Sequence, residues 1–192
     1  VCCVQTEYLQ LFFVLLKENT GQNGVIRIDG FSAFKLSKCR FERNASLDSA
    51  SAVMIVSCPY ANEIFDTVFT GNKAAVSATI YLIQSTLIMK RVTMFSNEAK
   101  LQSPGIILQN SKIEASGIEF YDQIGEYSAF FVVSTASEIN IRNSQFRNGI
   151  VLSGGVVLVL SSSEISFENC TMSNLTATLG AALKIENKST LK

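Results

Sequence analysis

The stretch Ile139-Asn-Ile-Arg-Asn-Ser-Gln-Phe146 is followed, 26 residues later, by Ile165-Ser-Phe-Glu-Asn-Cys-Thr-Met172. Both stretches place apolar or small residues at the same four offsets, and a large apolar residue closes the pattern. The same pattern extends towards the N-terminus, where its closing residues are spaced by 25 to 28 positions with a mean of 26. A fixed period of this length indicates a repeat architecture. The closing residues are Leu16, Phe41, Phe69, Met94, Phe120, Phe146 and Met172.

A second apolar pair precedes this pattern in each copy, and its two members alternate with outward residues. Alternation of period two predicts short strands buried on one face. Solenoids of paired helices need about 33 residues a repeat, whereas repeats of about 20 to 30 residues contain strands. The sequence therefore predicts an all-β, single-stranded parallel β-helix of about seven coils. The pairs are Val1/Cys3, Ile26/Ile28, Met54/Val56, Ile80/Leu82, Ile106/Leu108, Phe131/Val133, Val157/Val159 and Leu183/Ile185.

Residues 1–192 are expected to form one β-helix domain that is a segment of a longer repeat protein. Val1 enters the pattern midway, and Leu191 opens a further copy. The interior is expected to hold one continuous stack of large apolar side chains, namely Phe41, Phe69, Met94, Phe120, Phe146 and Met172.

Asparagines recur in the turns, three residues after four successive closing residues. Stacked coils would place these side chains about 4.8 Å apart, so that their amides bond along the axis. Asparagine is also a common turn residue, but a shared offset in four successive copies favours a ladder. We predict that this ladder comprises Asn19, Asn44, Asn72 and Asn97, continues at Gln123, and shifts by one residue to Asn148 and Asn174.

The composition excludes several classes of function. Sixteen basic and sixteen acidic residues give no net charge, so no basic face is expected to bind nucleic acid. There is no histidine, which removes the commonest general base and metal ligand. No apolar run reaches the roughly 20 residues that cross a bilayer. We therefore predict no catalytic, metal-binding or cofactor-binding residues, and no membrane insertion.

Two short motifs resemble those of a known repeat. Phe41-Glu-Arg-Asn44 and Phe69-Thr-Gly-Asn72 are similar to the F-x-x-N element of the polymorphic outer-membrane protein repeat. Gly154-Gly-Val-Val157 resembles its G-G-A/V/I element, and Leu179-Gly-Ala-Ala-Leu183 is a weaker copy. The resemblance implies a right-handed β-helix of the pectin-lyase-like superfamily, in a secreted or cell-surface setting.

Carbohydrate-cleaving members of that superfamily use clustered carboxylates. Here no two of the four aspartates share a repeat offset. Glu114 and Glu119 fall in one coil, and Glu138 and Glu164 share an offset, where stacked like charges could bind a cation. Outward, solvated carboxylates are the favoured interpretation. The arginines Arg91, Arg142 and Arg147 are expected to be outward charges too.

The cysteines and glycosylation sequons make further predictions. Cys39 and Cys170 are expected to be buried free thiols, because five coils separate their inward positions. Cys2, Cys3 and Cys58 show no metal-type spacing.

Of the four N-x-S/T sequons, Asn44 is expected to carry no glycan because it belongs to the ladder. The acceptors for N-glycosylation are expected to be Asn174 and Asn187, with Asn169 pointing outward.

The favoured function is a non-catalytic structural or adhesive component of an extracellular or cell-surface assembly, such as a filament subunit or adhesin. Its expected partners are further copies, joined end to end or laterally, or the rest of a longer chain, together with glycans. The alternative is a polysaccharide lyase or hydrolase, or a carbohydrate-binding β-helix protein. An acidic lateral groove with stacked aromatic rings would favour sugar, and a flat face rich in Ser and Thr would favour assembly.

Overall fold

The structure is a computed structural model that describes residues 8–30, 33–76, 79–178 and 182–192, together with the backbone of residues 2–4. In this part of the chain thirty short strands form four parallel sheets, and there is no helix. The chain visits sheets A, B, C and D in turn and then begins the next coil. Since each strand pairs with its counterpart one coil away, the fold is a parallel β-helix of about seven turns, as predicted.

Sheets A and B each hold eight strands. Sheet A consists of Cys2–Val4, Ile26–Asp29, Val53–Val56, Ile80–Ile83, Ile106–Gln109, Phe131–Ser134, Val157–Val159 and Leu183–Ile185. Sheet B consists of Tyr8–Phe12, Ala33–Ser37, Ala61–Phe65, Thr86–Lys90, Lys112–Ser116, Glu138–Arg142, Glu164–Glu168 and Thr190–Leu191.

Sheets C and D each hold seven shorter strands. Sheet C consists of Leu15–Lys17, Arg40–Glu42, Val68–Thr70, Thr93–Phe95, Glu119–Tyr121, Gln145–Arg147 and Thr171–Ser173. Sheet D consists of Thr20–Gly21, Ala45–Ser46, Lys73–Ala74, Glu98–Ala99, Ile124–Gly125, Ile150–Val151 and Thr176–Ala177.

The predicted closing residues lie in register along sheet C. Leu16 pairs with Phe41, and the pairing continues without a slip to Met172. From Phe41 to Phe146 these side chains are fully buried, whereas Met172 is half-buried in the last complete coil. Phe41 and Phe69 stack with ring centroids 4.8 Å apart, which matches the spacing of adjacent coils. The predicted 26-residue register and apolar stack are therefore confirmed.

Two of the predicted apolar pairs of sheet A were out of phase by one residue. The register pairs Ile26 with Val53 and Ile28 with Ile55, so the inward pair is Val53/Ile55 and not Met54/Val56. The strand Val53–Val56 is apolar at all four positions, and alternation cannot decide which face of such a strand is buried. In the first coil the register aligns Cys2 and Val4 with Ile26 and Ile28, in place of Val1/Cys3. Val1 lies outside the described residues.

The corners of the coil depend on left-handed backbone conformations that recur in each turn. One such position occurs directly after each sheet C strand, and its φ is 47° at Arg43, 62° at Gly71 and 54° at Asn148. Asparagine and glycine adopt this conformation at little cost. Asn148 and Asn174 occupy this corner position, which explains why they stand one residue before the ladder offset.

Glycines near the start of sheet A strands allow loops of neighbouring coils to approach closely. A side chain at Gly154 would clash with the carbonyl oxygen of Tyr127, and one at Gly105 would clash with that of Phe130. At Gly155 a Cβ atom would lie 2.8 Å from the Cβ of Lys184. The double glycine at 154–155 therefore allows neighbouring coils to pack closely. Its weaker copy at 179–183 lies largely outside the described residues.

Candidate functional site

The four predicted turn asparagines form a continuous hydrogen-bonded ladder along the coil axis. The side-chain amide Nδ2 of Asn19, Asn44 and Asn72 donates to Oδ1 of the next asparagine, each at 3.0 Å. The same Oδ1 atoms accept the backbone N–H groups of Asn19, Asn44 and Asn72 at 2.9 to 3.0 Å. Asn44 and Asn72 are fully buried, and Asn97 is almost so. These amides replace water for turn groups that the fold removes from solvent.

The ladder stops at Asn97, contrary to the prediction that it continues. Gln123 is fully buried, but neither its Nε2 nor its Oε1 has a hydrogen-bond partner within the described residues. Its side chain is one methylene longer than that of asparagine, and the following coil has Gly149 at this offset. The shifted asparagines do not extend the ladder either: Asn148 and Asn174 are exposed, and Asn148 donates to Oδ1 of Asp122 at 2.7 Å.

A second ladder, which the sequence reasoning missed, begins one coil before the first one ends. At the corner between sheets A and B, the backbone N–H of each residue donates to the hydroxyl of the serine one coil further on. These bonds measure 3.1 to 3.2 Å and join Cys58, Ser85, Ser111, Ser137, Ser163 and Ser189. The signal was available in the sequence, because these serines recur every 26 residues.

The two ladders together cross every step between coils. The asparagines join the first four coils, the serine ladder joins the third coil to the last, and both cross the step from the third coil to the fourth. A side-chain hydrogen bond thus reinforces the backbone pairing at each step; it is buried at the inner steps and partly buried at the first and last.

The predicted glutamate stack is neutralised by lysines. Glu138 and Glu164 are in register on the outer face of sheet B. Nζ of Lys112 lies 3.2 Å from Glu138 and 3.1 Å from Glu114, and Lys192 lies 2.7 Å from Glu164. A hydrogen bond from Asn140, followed by the Lys112 cation, holds the pKa of Glu138 below its usual range. Glu119 is on sheet C and does not join the group.

No cluster of three potential metal ligands occurs among the described residues. The arginines predicted to point outward do so, and each has a partner. Arg91 binds Asp66 with a shortest distance of 2.5 Å, which lowers the pKa of that carboxyl, and Arg142 binds Glu168 at 3.0 Å. The guanidinium of Arg147 lies 4.6 Å from the ring centre of Tyr121.

Aromatic rings stack on the outer face of sheet C. Phe95 and Tyr121 are parallel within 5°, with centroids 5.0 Å apart, and Arg147 covers the other face of Tyr121. Because the ring planes lie across the coil axis, they cover one another and present mainly edges to solvent. This stack therefore stabilises the lateral face and does not offer an open platform for a sugar.

The cysteines and sequons are placed as follows. Cys39 and Cys58 are buried free thiols, Cys170 is a half-buried free thiol, and burial raises the pKa of Cys58. The side chains of Cys2 and Cys3 lie outside the described part of the structure.

Asn44 is buried in the ladder, whereas Asn169, Asn174 and Asn187 are exposed at turns and open to modification.

An apolar stripe runs along the outer face of sheet A. Five successive coils place an apolar or aromatic residue at the same outward position, and the coils on either side place a cation there. Both cations are paired, Arg27 with Asp29 and Lys184 with Glu186. The stripe comprises Met54, Tyr81, Ile107, Val132 and Leu158. Three members, Met54, Ile107 and Leu158, are buried, and the other two are partly buried, so the stripe is largely covered.

A cleft of about 300 Å³ opens on this stripe, between the sheet and the loops that join sheets D and A. Its floor includes Ile107, Val132 and Leu158, and its walls include Gln102 and Tyr127. Gln109 and Ser134 add neutral polar groups, so the described lining contains no charged residue. Burial and the Asp48 carboxylate raise the pKa of Tyr81 on the same stripe, and a hydrogen bond with Gln109 acts in the opposite direction.

A polar groove of about 370 Å³ follows the serine ladder on the corner between sheets A and B. Ser85 and Ser111 lie at its base, and Lys112 and Glu138 face each other as an ion pair at its edge. The described lateral faces therefore present a neutral apolar cleft and a charge-balanced polar groove.

The sequence also matches a protein family. The family described as the right-handed β-helix region matches residues 23–192. The chain belongs to the right-handed β-helix family. Comparisons with curated proteins and with solved structures found no match. Within the described residues no helix is long and apolar enough to cross a membrane.

Proposed function

We propose that this β-helix is a non-catalytic structural or adhesive module of an extracellular or cell-surface assembly. It would associate with further copies, end to end or laterally, or with the rest of a longer chain. The observation that carries the proposal is that the asparagine and serine ladders overlap and together cross every coil step from Asn19 to Ser189. Buried polar ladders of this kind stiffen a stack along its axis, and a stiff axis is what a spacer or filament subunit needs.

Two further observations support a surface setting. The F-x-x-N elements at Phe41 and Phe69 resemble the polymorphic outer-membrane protein repeat, whose pectin-lyase-like relatives include surface adhesins. Each of these elements ends in a ladder asparagine, Asn44 or Asn72. In a eukaryotic secretory pathway the exposed sequons would make the chain a glycoprotein.

The test is electron microscopy of the native material, combined with an activity screen. The proposal expects straight rods or fibres of constant width, and no turnover of a panel of pectins and uronates. Catalytic turnover of any of these polysaccharides would contradict it, and so would flexible particles that bend between coils.

Carbohydrate binding is the second candidate, and the cleft on sheet A favours it. Tyr127 supplies an aromatic surface, while Gln102, Gln109 and Ser134 supply neutral donors and acceptors. Neutral amides and hydroxyls beside an aromatic ring suit an uncharged saccharide. Calorimetric titration with neutral oligosaccharides tests this candidate, and Gln109→Ala is expected to weaken binding without unfolding the protein. Equal affinity in wild type and variant would reject the cleft as a sugar site.

A further inference from the structure

The corner between sheets D and A exposes large apolar side chains on three successive coils. We call this surface the apolar corner; its members are 42% to 55% exposed and comprise Leu101, Ile124, Tyr127, Ile150 and Leu152. Ile124 and Ile150 are paired in register on sheet D, so adjacent coils place them about 4.8 Å apart. The backbone N–H of Leu152 bonds the carbonyl oxygen of Gly125 at 3.2 Å, so Leu152 directly follows the paired sheet D strands at the same corner.

The apolar corner continues into the cleft on sheet A. Tyr127 belongs to both surfaces, because it is half exposed and also forms a wall of the cleft. Along sheet D the apolar pair ends at polar neighbours: Glu98 precedes Ile124 in the register and is paired with Lys73 at 2.9 Å, and Thr176 follows Ile150. The apolar surface therefore has defined limits along the coil axis.

We propose that the apolar corner is a lateral, two-fold interface between two antiparallel copies of this chain. The inference rests on the structural role proposed above and names the partner for lateral association. A two-fold axis that passes between the coils of Ile124 and Ile150, perpendicular to the coil axis, brings Ile124 of each copy against Ile150 of the other. An interface of this type uses the same patch on both copies, so the patch must complement itself.

The repeat supplies that complementarity. A second copy presents apolar groups at the same coil spacing, so side chains along the axis meet without a growing mismatch. No member of the apolar corner is charged, and the neighbouring Glu126 is half-buried, with its Oε1 accepting from the hydroxyl of Ser153 at 3.0 Å. The chain has equal numbers of acidic and basic residues, so two copies meet without net repulsion. An extended peptide repeats its same-face side chains only about every 6.8 Å and would lose register with the coils.

The exposed area is consistent with a reversible dimer. Five half-exposed large side chains offer on the order of 400 Å² of apolar surface, which is typical of a functional patch on a monomer. A standard interface buries about 800 Å² on each partner. Together with the rim of the cleft, the apolar corner supplies about half of that area. Interfaces below the standard size are typical of weak, transient complexes, so we expect a dissociation constant of about micromolar order.

Sedimentation velocity of the full chain between about 1 and 100 µM tests the proposal, since this range brackets a micromolar constant. Wild type is expected to shift from monomer to dimer, and Ile124→Lys is expected to raise the dissociation constant at least about tenfold. Leu152→Glu provides an independent variant. Thr20→Lys, an exposed change on the same sheet D column, is the matched control and is expected to dimerise like wild type.

Three results would overturn the proposal: a wild type that is monomeric throughout, dimers that persist in both Ile124→Lys and Leu152→Glu, or loss of dimers in Thr20→Lys. Circular dichroism melts establish that each variant is folded. A monomeric wild type whose sheet A cleft binds neutral oligosaccharide would assign this surface to a sugar instead. Rods that stay straight in microscopy without dimerising would reject this interface and leave the structural role intact.

Discussion

Replacing Asn72 with alanine removes the central member of the asparagine ladder. Oδ1 of Asn72 accepts both the backbone N–H and Nδ2 of Asn44, and its own Nδ2 donates to Oδ1 of Asn97 and to the carbonyl oxygen of Phe41. All four bonds measure 3.0 Å. Nδ2 of Asn44 keeps a bond to the carbonyl oxygen of Leu16, so its backbone N–H is the donor that Asn72→Ala leaves without an acceptor.

An orphaned buried donor costs about 1–3 kcal/mol, and the weakened neighbouring bonds add roughly 1 kcal/mol. We therefore expect Asn72→Ala to lower the free energy of unfolding by about 3 kcal/mol in total. For a chain of this size that corresponds to a fall in melting temperature of about 6–12 °C. Urea denaturation followed by circular dichroism measures the free energy, and differential scanning calorimetry measures the melting temperature.

The matched control is Asn148→Gly. Asn148 is an exposed turn asparagine with a φ of 54°, and its amide donates to Asp122. Glycine keeps the left-handed backbone conformation, so this change is expected to cost less than about 1 kcal/mol. If the two variants were equally stable, the buried ladder would contribute nothing beyond an ordinary turn, and the reasoning would be refuted.

Four further predictions concern the core, the loops, the end of the ladder and modification. Phe146→Ala is expected to cost about 3–5 kcal/mol in urea unfolding, since it opens a cavity in a stack that excludes water. Gly154→Ala is expected to cost at least about 2 kcal/mol, because the new methyl group meets a backbone carbonyl of the preceding coil; an unchanged melting temperature would contradict that close approach. Gln123→Met is expected to be neutral or stabilising, because a buried amide that has no partner among the described residues is replaced by an apolar side chain of similar length. After expression through a eukaryotic secretory pathway, mass spectrometry is expected to find glycan at Asn174 and none at Asn44, and glycan at Asn44 would show that its side chain faces solvent.

The repeat made most of the fold predictable. A 26-residue period with large apolar closing residues determines coil length, strand direction and core, and the register from Leu16 to Met172 follows it without a slip. The phase of strand Val53–Val56 was unpredictable because all four residues are apolar and both faces of that strand are covered. Sequence periodicity gives the offset of a residue, but the packing of neighbouring loops decides which of two apolar faces is inside.

Of the two polar ladders, only the asparagine ladder was predicted from the sequence. The asparagines were found because amides in turns have a known way to stack, whereas Ser85 and Ser111 share an offset that small polar residues often occupy by chance. Gln123 was included because an amide stands at the ladder offset, although its extra methylene and the glycine in the next coil end the chain of bonds. The cleft on sheet A depends on loops that fold back over the strand faces, and their course is not encoded in the repeat.

The most direct test of the stiff, stacked coil is the distance between two spin labels on sheet D, measured by pulsed electron paramagnetic resonance. Thr20 and Thr176 are both exposed and lie in one register column, six coil steps apart. Six steps of about 4.8 Å place the labelled Cα atoms about 29 Å apart. The variant carries Thr20→Cys and Thr176→Cys in a background without other cysteines. A single narrow distribution centred near 29 Å is expected, and a broad distribution or a centre displaced by more than about two coil spacings would contradict the continuous β-helix.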